Sequence, residues 1–146
     1  METMMHPFIY DGSIIPQGFK LPQSYIDLVT QKILPEIEPW FFLSYDIGST
    51  LHYYGSLLIK YPDQPLLPFA MIHDKSGFYN KGMIVLACFD TTDRSNNPCV
   101  RSYDFSTPDQ SPWENICYDD FNDWLHAAKI ESHHYKIDQA EANKEL

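Results

Sequence analysis

Cysteine is scarce in this sequence of 146 residues: Cys88, Cys99 and Cys117 are the only three. The number is odd and no two form a C-x-x-C pair, which argues against a disulfide framework or a cysteine-built zinc site. Cys88 lies inside the run Met83-Ile84-Val85-Leu86-Ala87-Cys88-Phe89, where a thiol behaves as a small buried hydrophobe. Long apolar runs are missing as well. No stretch approaches the ~18 apolar residues of a transmembrane helix. Met1 to Tyr10 lacks the basic-then-apolar order of a signal peptide, so the expected location is the cytoplasm. Basic residues are few, 10 against 20 acidic ones, for a formal net charge of −10. That balance argues against nucleic acid, which wants a basic face, and against an anionic membrane surface. It suits a basic protein partner, because complementary fields speed encounter. Repeats, heptads and low-complexity linkers are absent, and the length suits one domain.

What is present reads as an α+β domain. Tyr25, Ile26, Val29 and Ile33 recur at helical spacing and predict a first helix from about Pro22 to Leu34, opened by a proline and stopped by Pro35. Trp40–Tyr45, Leu67–Ile72, Met83–Phe89 and Cys99–Phe105 are short apolar runs bounded by turn residues and predict strands. Residues 50–59 fit strand or helix equally. The loops 73–82 and 90–98 are too short for parallel crossovers, so the strands are expected to pair antiparallel. Phe121, Trp124, Leu125 and Ala128 make the apolar stripe of a last helix, with Asp119 and Asp120 at its N-terminus and Lys129 at its C-terminal end. The domain is thus expected to span residues 1–131. A polar tail, 132–146, is left open between fraying helix and disorder. Helices at both ends of a sheet cover one of its faces, and the other is expected to meet water, loops or a partner.

The sequence carries no compelling catalytic or metal-binding pattern. Asp90 and Asp93, with Asp104 on a neighbouring strand, are carboxylates close in sequence, but acid–base hydrolysis needs a pair in a cleft with separated pKa values. A solvated or partner-facing loop explains them more simply. His133 and His134 are adjacent and point apart on a helix, His126 precedes His133 by seven, and His52 and His73 have no partner visible in the sequence, so no metal is expected. Neither a G-x-S-x-G elbow nor a phosphate loop occurs, and no cofactor is expected. What stands out is charge. Between Cys88 and Asp123 lie Asp90, Asp93, Asp104, Asp109, Glu114, Asp119, Asp120 and Asp123, opposed only by Arg94 and Arg101. The aromatics Tyr79, Tyr103 and Trp113 lie in or near the same loops. Aromatics surrounded by less critical contacts favour binding hot spots. The candidate partner-binding residues are therefore Tyr79, Asp90, Asp93, Arg94, Tyr103, Asp109 and Trp113, with core packing as the alternative for Trp113 and helix capping for Asp119 and Asp120.

The order of motifs resembles the SUKH superfamily, the Smi/Knr-like immunity and cell-wall-regulator proteins. Leu21-Pro22-Gln23-Ser24-Tyr25 is similar to the family's opening helix start. Leu66-Leu67-Pro68-Phe69-Ala70 followed by Ile84-Val85-Leu86-Ala87-Cys88-Phe89-Asp90 resembles its central strands. Pro98-Cys99-Val100-Arg101-Ser102-Tyr103-Asp104 resembles its next strand, and Trp113-Glu114-Asn115-Ile116 with Asp120-Phe121-Asn122-Asp123-Trp124-Leu125 its terminal helix. The likeness runs from about Leu21 to Lys129. Two features depart from the pattern: Pro35-Glu36-Ile37-Glu38-Pro39 replaces a Gly-rich turn, and Lys81-Gly82 replaces a Gly-Asp pair. The resemblance implies a non-enzymatic immunity protein that binds and neutralises a bacterial toxin, often one that acts on nucleic acid. Its alternative implication is a regulatory scaffold linked to cell-wall synthesis.

Overall fold

The computed structural model describes residues 7–144. Residues 1–6 and 145–146, parts of the leader reading and of the expected tail, lie outside the described residues.

A five-stranded antiparallel meander, in the spatial order β1-β2-β3-β4-β5, forms the centre: β1 Trp40–Phe42, β2 Leu66–Ile72, β3 Val85–Asp90, β4 Val100–Asp104 and β5 Cys117–Tyr118. Three α-helices pack around it, α1 Gln23–Val29, α2 Ile47–Lys60 and α3 Phe121–Lys144. The α+β class and the antiparallel pairing agree with the sequence reading.

Strand β2 is buried at all seven positions. Alternate side chains point to opposite faces, so a strand without a polar position needs cover on both. On one face Leu67, Phe69, Ile72, Ala87, Phe89 and Val100 meet Tyr25 and Val29 of α1 and Phe121, Trp124 and Ala128 of α3. Aromatic rings dominate this layer. Phe69 stacks on Phe89 with centroids 4.2 Å apart, and the edges of Tyr25 and Trp124 close on Phe69 at 5.5 and 4.9 Å. On the other face Leu66, Met71, Leu86, Cys88 and Tyr103 pack with Leu43 and Leu57. The expectation that this face would be left to water, loops or a partner is corrected here, because α2 covers it. Residues 50–59, open between strand and helix, belong to α2. Asp46 opens that helix by accepting from the Ser49 amide at 3.0 Å, which also holds its carboxyl below the usual range. Thr50, Tyr54 and Leu57 then fall on one inward face.

Pro68 sits inside a central strand, where a missing N–H normally breaks the ladder. A bulge resolves this. The register steps from Pro68↔Cys88 to Ala70↔Ala87, leaving Phe69 unpaired, and Phe69 and Ala70 both join the first core. The Pro68 carbonyl also accepts from the Tyr10 hydroxyl at 2.8 Å, which ties the N-terminal segment to the sheet.

Three elements differ from expectation by more than a residue or two. Helix α1 ends at Val29, with Thr30 at its C-cap and the Thr30 hydroxyl bonded back to the Ile26 carbonyl at 2.8 Å, and Ile33 is 81% exposed rather than part of an apolar face. Strand β1 stops at Phe42, and Leu43–Tyr45 form a 3-10 turn. Helix α3 runs unbroken to Lys144 with Ser132 and Tyr135 buried, so the expected boundary at 131 falls inside one continuous helix. Asp120 caps it through the Asp123 amide at 2.9 Å.

Trp124 is 1% exposed and touches Trp40, Phe42, Phe69 and Phe121. Trp124→Ala is expected to cost about 3–5 kcal/mol, the range for a buried large aromatic. Denaturant unfolding measures this, and an unchanged midpoint contradicts the docking of α3 described here.

Candidate functional site

The residues picked out from the sequence do not converge on one site. Asp90 is 2% exposed, and its Oδ2 accepts from Arg101 Nε at 2.7 Å. Thr92 adds its amide at 2.9 Å and its hydroxyl at 2.6 Å. Burial pushes this carboxyl up, but the bonds from Arg101 and Thr92 outweigh it and hold it below the usual carboxylate range. Asp90 is thus corrected from a solvent-facing charge to a buried ion pair. Asp93 is half-buried, and its carboxylate accepts from the amides of Ser95 and Cys99 at 3.0 and 2.9 Å, shaping the β3–β4 turn. Arg94 is exposed and donates to the Gln17 carbonyl.

Tyr103 is buried in the second core, its hydroxyl taking a bond from Lys60 Nζ at 2.6 Å. Trp113 packs edge-on against Tyr61 at 5.2 Å, under the Arg101 guanidinium at 5.5 Å. These two aromatics seal the C-terminal end of α2 onto the sheet, which is the packing role weighed for Trp113. Asp109 is exposed in the β4–β5 loop. Tyr79 lies apart from the rest, on the helix-covered α1/α3 face.

Tyr79 leads to a polar cavity at one end of the sheet. The sheet register aligns Trp40 with Ile72, Ile72 with Val85 and Val85 with Asp104, one row across four strands. This row floors a cavity of about 200 Å³ at the end of the sheet. Ser102 and Tyr118 line its β4–β5 side, the loop residues Tyr79 and Asn80 another, and Glu131 of α3 closes it. Phe121, Trp124, Ala128, Glu131 and Tyr135 stand at i, i+3, i+7, i+10 and i+14, so Glu131 occupies the core-facing stripe of α3. The Trp40 indole N–H donates to Glu131 Oε1 at 2.7 Å, and the Tyr79 hydroxyl donates to Oε2. Both donors are neutral. The ion pairs among the described residues, Asp90–Arg101 and Glu36–Lys136, do not include it. Burial pushes the Glu131 carboxyl above its ordinary value, and the Trp40 bond only partly opposes this.

The wall beside Glu131 is built from an unusual turn. Asn80, Lys81 and Gly82 all have positive φ, 52°, 56° and 78°. A left-handed conformation costs a residue with a side chain roughly 1–2 kcal/mol, so two in succession need fixing. Asp74 fixes the approach by accepting from the Ser76 and Tyr79 amides at 3.1 and 2.7 Å. Asn80 fixes the turn itself, donating to the Met83 carbonyl at 3.1 Å and to Asp104 Oδ1 at 3.0 Å.

The sequence reading found Tyr79 but missed Glu131, Asp104's place in the cavity and Asn80. The signal was there for Glu131. Continuing the helical stripe beyond Lys129 puts a lone acid in line with Trp124, Ala128 and Tyr135. Among the described residues no three of His, Cys, Asp and Glu are grouped to hold a metal, and no helix is long and apolar enough to cross a membrane. Comparison with family models, with curated proteins and with solved structures gave no match.

The electrostatics of Glu131 fix a sign. With its folded-state carboxyl raised, the unfolded chain releases this proton first as pH climbs through 4.5, the ordinary value. The folded state is therefore penalised from there up to the raised folded-state pKa, and the penalty persists above it. Glu131→Gln removes the titration and keeps both partners, with its oxygen facing Trp40 and its amide facing Tyr79. The variant is expected to melt above the wild type at pH 7 and level with it near pH ~3.5, where both forms are neutral. A melting-temperature difference that does not change with pH contradicts the assignment.

Proposed function

We propose that this chain is a non-enzymatic immunity protein that binds a basic bacterial toxin, one that cleaves or modifies nucleic acid, and neutralises it by covering its working surface. The observation that carries the reading is the state of the charges between Cys88 and Asp123. Arg101 is consumed internally by Asp90. Seven carboxylates, those of Asp93, Asp104, Asp109, Glu114, Asp119, Asp120 and Asp123, are left against Arg94 alone. Asp109, Glu114, Asp119 and Asp123 are exposed. A segment so acidic, with Lys60 near Asp109 the cation that another part of the chain brings to it, repels nucleic acid and attracts a basic protein. The SUKH resemblance adds its weight to the toxin as partner, and inhibition needs only steric and electrostatic occlusion. A preformed surface suits this role, since ordering loops on binding lowers affinity.

The test pairs the protein with toxin domains encoded beside its gene and follows protection of cells together with association rates at low and high salt. The wild type is expected to protect and to associate fastest at low salt, because exposed charges are screened over about 8 Å at physiological ionic strength. Reversing Asp109, Glu114 and Asp119 to Lys is expected to slow association about tenfold and to flatten its salt dependence. Stability should shift by no more than about 0.5 kcal/mol, as for other exposed sites. Asp90 is left intact in this variant, because its loss would strand Arg101. Equal rates and slopes for the two proteins contradict the acidic surface as the docking face.

A further inference from the structure

We propose that the end-of-sheet cavity is an anchor subsite for a single arginine side chain of the protein partner. The inference rests on the reading of the chain as a binder of a basic protein, and it names the side chain that the molecule is built to receive.

Size comes first. A cavity of about 200 Å³ is small beside the roughly 300–1,000 Å³ of clefts that hold metabolites or cofactors. At about 30 Å³ per water it has room for a handful of waters, or for a guanidinium and the end of its stem.

The free hydrogen-bonding capacity is the second argument. Asp104 Oδ1 is saturated by Asn80 Nδ2, the Ser106 amide and the Ser106 hydroxyl at 3.0, 2.8 and 2.7 Å. Its Oδ2 takes no bond among the described residues. Each Glu131 oxygen accepts one neutral donor and has a second lone pair to offer. The hydroxyls of Ser102 and Tyr118, both on the lining, have no protein partner among the described residues. The Asn80 amide, the obvious donor at the wall, is already spent on Met83 and Asp104. The Asn115 amide, also on the lining, and the Ser102 and Tyr118 hydroxyls can donate, but all are neutral, and the lining contains no lysine, arginine or histidine, so nothing in it supplies positive charge opposite Glu131 and Asp104. It also offers three aromatic side chains, Trp40, Tyr79 and Tyr118.

Arginine meets all of these features together. It carries five N–H donors in a fixed plane, keeps its charge at every physiological pH, and stacks on aromatic faces. A bound guanidinium supplies the positive charge that the core-facing Glu131 lacks, and a desolvated charge needs such a partner. An ammonium brings charge without the planar fork. A sugar brings hydroxyls but no charge. Arginine is also among the residues that most often dominate binding energy at interfaces.

The test uses N-acetyl-arginine methylamide as probe, with the lysine and citrulline analogues as controls, followed by amide and indole NMR of the full chain. Citrulline has the shape of arginine without its charge. The arginine probe is expected to shift the Trp40 indole N–H and the Asn80 amide saturably, the lysine probe more weakly, and the citrulline probe not at all. Glu131→Gln and, separately, Tyr118→Phe are expected to weaken the arginine response at least fivefold, with the rest of the spectrum unchanged to show the fold is intact. Equal responses to arginine and citrulline, or no saturable shift by about 50 mM, where even weak fragments of this size register, overturn the proposal. Failure of the wider reading looks different. A protein that takes the arginine probe but binds no toxin keeps the subsite and loses the proposed function. A toxin bound equally well by wild type and Glu131→Gln keeps the function and loses the subsite.

Discussion

Leu66–Ile72 is buried at every position, with no polar residue turned to solvent, and the architecture follows from having to cover it twice. A half-exposed strand needs a single layer of cover; this one needs α2 on one side and α1 with α3 on the other. Its neighbour β3 is buried at five of six positions under the same pressure. The two edge strands, with three and two residues, are too short to offer a long unpaired backbone ladder, one of the ways natural sheets avoid edge-to-edge association.

That layering also explains where the cavity lies. Phe121, Trp124 and Ala128 of α3 fill the space above the middle of the sheet with apolar volume. One helical turn further on, above the row Trp40–Ile72–Val85–Asp104, the same stripe carries Glu131. The packing that makes a core elsewhere makes a polar recess there. Two neutral donors hold the carboxylate in place without neutralising it. Such a group stabilises the native state less than an apolar residue of similar size, since burial penalises its charged form. Its presence on a core-facing stripe is understandable if a charge from outside completes it, which joins the stability cost to the binding role proposed for the chain.

Much of the fold could be read from the sequence because period and punctuation agreed. Four of the five strands were located within one to three residues, and the proline before Gln23 marked the start of α1. The remainder failed for physical reasons. Residues 50–59 carry Thr50, Tyr53, Tyr54 and Leu57, which alternate poorly and are shared between strand- and helix-favouring types; the cap at Asp46 was the deciding feature. Strand β5 has two residues, below any periodic signal. The polarity of the residues after Lys129 leaves the tail open between fraying helix and disorder, although Ser132 and Tyr135 continue the stripe. The acidic loops were seen as a charge density, but sequence cannot reveal which carboxylates are consumed internally. Asp90 is spent on Arg101, Asp93 on backbone amides, and Asp104 partly on Asn80. The site lay in tertiary register, where residues from β1, β2, β3, β4 and α3 meet.

Glu131 is a half-buried carboxylate without a cation among the described residues, and the cavity's proposed role depends on that. The direct measurement is a pH titration of its side-chain carboxyl carbon by NMR, in protein labelled at glutamate and assigned with Glu131→Gln. The expected midpoint lies above the ordinary glutamate value of 4.5 and is displaced downward when an arginine side chain occupies the cavity. A midpoint at or below that value in the free protein would mean that the carboxylate is already solvated or paired, and would contradict that role.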